Sequence, residues 1–303
     1  MGGIEPAPVV AQVPDAMKAV LLAALVAVAS VASARMCGSA TSPPAVYDHV
    51  VWIWFENHSY DEIVGSPDAP YMNRLAARCG LATSYHALAH PSLPNYIAAT
   101  SGMSVSALGP LREDCDGSGG CRIAAPNVFL QAPSWGAYAE SLPSPCATGF
   151  VGTYAANHNP AVYYTNLSDC AEHDVGLPPL WRQLAAGRLP AFAFVAPNRC
   201  HSMHDCPVST GDRWLRRVLS RLVRSAAYRR GRMAVFVTFD ESADADPDNH
   251  VATFVIARAT PAGGRGAAPF THYSLLRTTE EMLGVGLLGE AARAPSMRAA
   301  FGL

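Results

Sequence analysis

Three near-continuous apolar runs constrain this chain more than any other feature. Tyr47 to Phe55 (YDHVVWIWF), Ala191 to Ala196 (AFAFVA) and Ala234 to Phe239 (AVFVTF) are built from aromatic and β-branched residues and read as buried strands. The first and third stop abruptly at acids, Glu56-Asn57 and Asp240-Glu241, and the second at Pro197-Asn198. Polar residues gathered at the C-terminal ends of buried strands are where open α/β sheets place their ligands. A further strand is expected over Val251 to Ala257, and helices over Ala69 to Cys79, Arg213 to about Arg224 and Leu275 to Leu283. The second helix sets Leu215, Val218, Leu219 and Leu222 against arginines that read as a solvated face, and the third carries Glu280 and Glu281 as a regular polar face. The Gly/Pro-punctuated stretch from Pro110 to Pro145 reads as a loop-rich insertion. Half of the 303 residues are apolar, enough for one large α/β domain over 35–303.

What precedes that domain looks like an address. Met17-Lys18, the small and aliphatic run from Ala19 to Val31, and Ala32-Ser33-Ala34 match the parts of an export signal cleaved after Ala34, with Met17 a candidate true start. The apolar run falls short of the roughly 20 residues a membrane span needs, so no transmembrane segment is expected in the mature chain. A secreted or extracytoplasmic location agrees with eight cysteines. Cys115 and Cys121, Cys146 and Cys170, and Cys200 and Cys206 bracket loops, and in an oxidising compartment such cysteines form disulfides, although spacing leaves the connectivity open. A formal charge of −2 and the lack of a long basic run disfavour nucleic acid and anionic membrane surfaces as partners.

The chemistry converges on His90-Pro91-Ser92-Leu93-Pro94-Asn95-Tyr96, where an extended segment feeds an apolar helix. A serine there faces backbone N–H groups with no internal partner, good ground for a nucleophile meeting an anion, although the same heptapeptide taken alone is also a turn sequence. Glu56, Asn57, Asp240 and Glu241 would meet over the sheet edge if their strands are neighbours, and such a cluster calls for a divalent cation. The cation would activate the Ser92 hydroxyl and neutralise phosphate charge. Asn95 and the N–H groups beyond Ser92 would hold phosphate oxygens, and His158, His204 or His272 would contact phosphate or protonate the leaving alkoxide.

In order along the chain, the segments Trp54-Phe55-Glu56-Asn57-His58-Ser59-Tyr60-Asp61, His90 to Tyr96, His158-Asn159-Pro160, Pro197-Asn198 with His204-Asp205, Thr238-Phe239-Asp240-Glu241 and His272 to Thr278 resemble the successive signatures of the bacterial phosphoesterase family. That family holds secreted acid phosphatases and phospholipases C. It is similar in turn to the alkaline-phosphatase-like superfamily, since Ser92-x-Pro94-Asn95 matches the Thr-x-Pro-Asn around the nucleophile of nucleotide pyrophosphatases/phosphodiesterases. The resemblance implies a mostly parallel sheet flanked by helices on both faces, Ser92 as the residue phosphorylated in turnover, and a metal site of Glu56, Asn57, Asp240 and Glu241 completed by Ser92. It further implies substrate contacts from Asn57, Asn95, His158 and His204. Asn198 stands where two-metal relatives carry an acid, so one tightly held metal is expected. Its oxygen donors suit Mg, Ca or Mn, while nearby histidines keep Zn or Fe open. Histidines on the phosphate would favour mildly acidic conditions. The expected activity is that of a phosphomonoesterase, with a phosphoinositide or phospholipid headgroup among the candidate substrates. A phospholipase C-type phosphodiesterase or a non-catalytic binding protein on the same fold are the alternatives.

Overall fold

The three apolar runs become neighbours at the centre of one sheet. They are strands β1 (His49–Phe55), β5 (Phe192–Ala196) and β6 (Met233–Phe239), and from Val50 to Phe55 every residue of β1 is fully buried. The remaining strands are β2 (Gly80–Ala82), β3 (Trp135–Ala139), β4 (Asp174–Val175), β7 (Thr253–Ala257) and β8 (Arg265–Gly266). Their order across the sheet is β8-β2-β7-β6-β1-β5-β3-β4. All pair in parallel except β7, which runs against both β6 and β2. The computed structural model describes residues 1–3, 36–40, 42–243 and 246–303, so the h-region and cleavage position of the expected export signal lie outside the described residues. Residues 36–303 form one unit, and no helix among the described residues is long and apolar enough to cross a membrane.

Helices cover both faces, and β1 shows which covers which. Successive side chains of a strand point to opposite faces. Trp54 stacks against Tyr96 of α2 (Ser92–Ser101) and His272 of α5 (His272–Leu283), and Trp52, on the same face, donates to Thr279 of α5 at 2.9 Å. Phe55, on the other face, meets Trp214 of α4 (Val208–Val223) edge-on. Helix α1 (Pro70–Arg78) is tied to α4 through Asp212, whose carboxylate accepts from the N–H groups of Tyr71 and Met72 at 2.8–3.0 Å. Helix α3 (Leu177–Ala185) meets α4 where the Arg221 guanidinium lies over the Trp181 ring.

Two expectations shift, and the disulfide connectivity that the spacing left open is resolved. The loop-rich insertion is cut short, because Trp135–Ala139 is a strand of the main sheet, next to its edge; five residues of Trp-Gly-Ala-Tyr-Ala carry too little β-branched bulk to register as one. Four disulfides form, the three bracketing pairs and a long-range Cys37–Cys79 that ties the segment before β1 to the end of α1. Glu280 is no part of a solvated face: it is buried, with one oxygen accepting from Leu288 N–H at 2.9 Å and the other without a partner. Burial pushes its carboxyl up to about 8, the neighbouring Glu281 adding to the shift.

The sign of that shift gives a test. Between the ordinary carboxyl value and about 8 the folded chain keeps a proton that the unfolded chain releases, so stability falls as pH rises through this window. Glu280→Gln keeps the acceptor for Leu288 and cannot ionise. Its melting temperature should match the parent near pH 4 and exceed it by a few degrees near pH 8. Calorimetric curves that stay parallel across that range would show the carboxyl is not the titrating group.

Candidate active site

The register of β1 and β6 builds the centre. Phe55 lies opposite Phe239, so Glu56 and Asp240 leave the sheet side by side, with Asp240 N–H donating to Phe55 O at 3.0 Å. Asn57 follows with φ of 54°, a left-handed turn that asparagine tolerates better than most residues, and its N–H donates to Asp240 Oδ1 at 3.1 Å. Helix α2 brings Ser92 into this pocket on its first turn. Its hydroxyl lies within donating distance of Glu56 Oε2, at 3.2 Å, and Glu241 Oε1, at 3.3 Å, and the residue is only 3% exposed.

Other groups face the same charge. Tyr96, one turn beyond Ser92 on the same face of α2, donates to Glu56 Oε1 in a short hydrogen bond. His90 Nδ1 sits 2.7 Å from Glu241 Oε2. His158 Nε2 lies 3.2 Å from Glu56 Oε2 without the alignment of a hydrogen bond, and its ring neighbours His204 at 5.7 Å between centroids. His204 in turn has Nδ1 2.7 Å from Asp205 Oδ1, which also receives Arg199 at 2.8 Å. Burial raises the Glu56 carboxyl well above the usual range, with the charges of Asp240 and Glu241 adding to it, and burial raises Asp240 as well. Burial, helped by His204 and Arg199, lowers His158 to about 3. The ring is therefore neutral across ordinary pH in this environment, which runs against the expectation of a protonated phosphate ligand.

Glu56, Asn57, Ser92, Asp240, Glu241, His158 and His204 thus gather at one sheet edge. Two expected ligands are committed elsewhere. Asn95 is not an open phosphate clamp: its Oδ1 accepts from Leu88 and Ala89 N–H at 2.9 and 3.0 Å, and its amide donates to Ala89 O and Pro91 O. It fixes the loop that presents Ser92. His272 lies between Asp240 O, at 2.7 Å from Nε2, and the Tyr85 hydroxyl, at 3.0 Å from Nδ1, so neither nitrogen is left for phosphate and the ring props the Asp240 turn. The N–H of Leu93 is likewise taken, by Asp114 at 2.9 Å, and Asp114 also accepts from Asn157.

Sequence reasoning passed over Tyr96, Asp114 and Glu140. The last accepts from Asn198 N–H and Trp214 Nε1 and pairs with His201 at 2.8 Å, anchoring the cysteine loop that carries His204. Only Tyr96 had a local signal, its four-residue spacing from Ser92. A separate grouping of donor atoms, Cys146, Cys170 and Asp174, offers no thiolate because the two sulfurs form a disulfide.

A mostly parallel sheet that delivers a serine and acids to its C-terminal edge has the architecture of the alkaline phosphatase superfamily. A member of that superfamily from Vibrio parahaemolyticus shares the fold with a TM-score of 0.56, covering 95% of this chain and 81% of that one at 11% identity. The chain itself belongs to the Phosphoesterase family, which residues 66–286 match, and it is a phosphate-ester hydrolase. It is 32% identical to a phosphatidylinositol-3-phosphatase of Mycobacterium tuberculosis over 91% of this chain and 90% of that one. It is 28% identical to an acid phosphatase of Aspergillus fumigatus over 78% of this chain, a match that spans 55% of the fungal protein.

The commitment of Asn95 to the loop is testable through stability. Asn95→Ala strands two N–H groups and should lower unfolding free energy by about 2 kcal/mol. Asn95→Asp, which keeps the acceptor, should recover part of that loss. A denaturant midpoint unchanged in Asn95→Ala, with an unchanged slope, would rule the loop role out.

Proposed function

We propose that the chain is a secreted phosphomonoesterase that works through a phosphoserine at Ser92 and uses one divalent cation, with an export signal preceding a single catalytic domain. The observation that carries the reading is the contact of the Ser92 hydroxyl with two buried carboxylates, Glu56 and Glu241. The donor set fits a cation. Asn57 Oδ1 and Asp240 Oδ2 are buried with no hydrogen-bond partner, and burial drives the Glu56 and Asp240 carboxyls toward protonation unless a positive charge holds them ionised. Glu56, Asn57, Asp240 and Glu241 would hold the cation beside Ser92, where it would lower the hydroxyl's pKa and offset phosphoryl charge. Asn198 supports a single site, since its side chain is occupied by Ser141 Oγ and His201 N–H.

In this reading Ser92 Oγ gives its proton to an adjoining carboxylate and attacks phosphorus in line. The ester P–O bond breaks, and His204, held at Nδ1 by Asp205, protonates the departing alkoxide from Nε2. Water deprotonated by the same ring then attacks phosphorus, the Ser92 Oγ–P bond breaks, the carboxylate returns its proton to Ser92 Oγ, and phosphate leaves. His158 and the Asn57 amide flank the phosphoryl oxygens, while Asn95 and His272 hold the two turns in place. Four disulfides support an oxidising compartment. The mycobacterial relative makes a membrane phosphoinositide the first substrate to try.

Ser92→Ala should cut release of p-nitrophenol from p-nitrophenyl phosphate by roughly a thousandfold or more while the melting temperature is kept. Divalent cation added after chelation should raise the melting temperature of the parent and of Ser92→Ala, but much less that of Asp240→Asn. Elemental analysis of the purified chain should give one metal per chain. A fully active Ser92→Ala would sink the phosphoserine route, and a thermal response identical in Asp240→Asn would sink the metal assignment. Faster turnover of p-nitrophenyl phosphorylcholine than of the monoester would transfer the reading to a phospholipase C-type diesterase, and inactivity on both would point to a binding protein.

A further inference from the structure

The catalytic mouth is bordered by a surface that its chemistry does not use. Phe150–Val151 and Tyr154–Ala155 form a two-stranded hairpin whose second strand runs straight into the turn carrying His158. Its first strand turns two large apolar side chains to solvent, Phe150 at 55% and Val151 at 51% exposure. The hairpin is firmly held: Gly149 N–H donates to Asp116 O, Ala156 N–H to Gly149 O, and Arg199 N–H to Thr153 O. Adjacent exposed apolar residues on a rigid tip are a recurring sign of an interaction surface.

The hairpin adjoins a cationic patch. Thr153 Oγ1 and Asn198 Nδ2 both donate to Ser141 Oγ at 3.1 Å, and the preceding Glu140 lines a depression of about 170 Å³ with Leu177, Trp181, Trp214, Arg217 and Arg221. The Arg221 guanidinium lies 4.8 Å above the Trp181 ring. The carboxylate of Glu140 is already engaged by His201, Asn198 and Trp214. Arg213, Arg216, Arg217 and Arg221 follow the helical repeat along the exposed side of α4, and the described residues give none of them an acidic partner. Between Pro207 and Arg232 the sole acid is Asp212, which is buried.

We propose that this rim, the Phe150–Val151 tip together with the arginine and Trp181 face of α3 and α4, docks on an anionic lipid bilayer and presents the mouth to a phosphate monoester carried by a lipid. The inference rests on the phosphatase reading and adds to it the surface through which a lipid-borne substrate is reached. Apolar side chains that enter the acyl boundary, an indole beside them and arginines for lipid phosphates are the combination an interfacial protein uses. A nucleic acid would engage the arginines but give no role to the apolar tip.

The test uses the full chain on phosphatidylcholine vesicles with and without about one-fifth phosphatidylserine, each doped with a phosphoinositide monophosphate. The parent should sediment with the anionic vesicles, and Ser92→Ala should do the same. Phe150→Ser/Val151→Ser and Arg217→Glu/Arg221→Glu should each weaken that binding about tenfold, and slow phosphate release from the vesicles similarly, while hydrolysis of soluble p-nitrophenyl phosphate is unchanged. A parent that hydrolyses p-nitrophenyl phosphate yet ignores vesicles, or whose vesicle binding survives both double substitutions, overturns the docking surface and leaves the phosphatase reading standing. Retention by duplex DNA at physiological salt, without retention by vesicles, overturns it too. Sedimentation that depends on both patches in a chain that releases no phosphate from any substrate keeps the docking surface and overturns the phosphatase reading.

Discussion

The arrangement at this edge of the sheet answers one constraint, the gathering of the buried carboxyl groups of Glu56, Asp240 and Glu241. The gathering is forced: β1 and β6 pair in register to their last residues, so the acids that follow them must emerge together. Removing ionised carboxylates from water costs several kcal/mol each unless charge and hydrogen bonds compensate. The surroundings supply donors one by one, Tyr96 to Glu56 and the Asn57 N–H to Asp240, and the His90 ring lies 2.7 Å from Glu241. The compensation is incomplete, since Asp240 Oδ2 and Asn57 Oδ1 are left without partners. The apolar sheet tolerates this because Val50 to Phe55 and Met233 to Phe239 anchor the acids in a core that needs nothing from them. A site left short of positive charge in this way supports the proposed cation, and through it the proposed phosphate chemistry.

The same constraint explains how the proposed nucleophile is held. Ser92 opens a helix, and its position depends on the loop before it. Asn95 reaches back to bind both N–H and C=O groups of that loop, so the serine and the residue that sets its approach lie within one helical turn. On the opposite side His272 performs the equivalent task for the Asp240 turn, bonding a backbone carbonyl rather than a substrate. Both residues look functional in sequence and both serve function, but by fixing backbone beside the reacting groups.

That difference marks what sequence could and could not convey. Strand cores and the acids that end them are readable because both signals are local: an apolar run and its abrupt stop. The Ser92 motif is readable for the same reason. The partner of an asparagine or a histidine is a tertiary matter, so Asn95 and His272 were assigned to phosphate when the fold gives their polar atoms to Leu88, Ala89, Pro91, Asp240 and Tyr85. Strand β3 escaped because Gly and Ala carry no strand signal, and its place in the sheet comes from pairing with β5. Glu280 was misread as solvated because a carboxylate on a helix is solvated by default, and only the segment after α5 covers it.

Charge shows the limit most clearly. A formal balance of −2 over the whole chain argues against anionic surfaces, but a balance carries no positions. Spaced three and four apart, arginines that form no run in the sequence become one stripe when α4 winds, and four of the acids that count against them in the sum are buried: Glu56, Asp240 and Glu241 at the candidate site, and Asp212, which caps α1. The balance of the whole chain therefore understates how basic the exposed side of α4 is. Because these features sit on β-hairpin and helix rather than on a loose loop, little conformational entropy is lost when they engage a partner. The sheet gathers the candidate groups at its strand ends, and in the proposed docking it is the connections between strands that would bring a substrate to them.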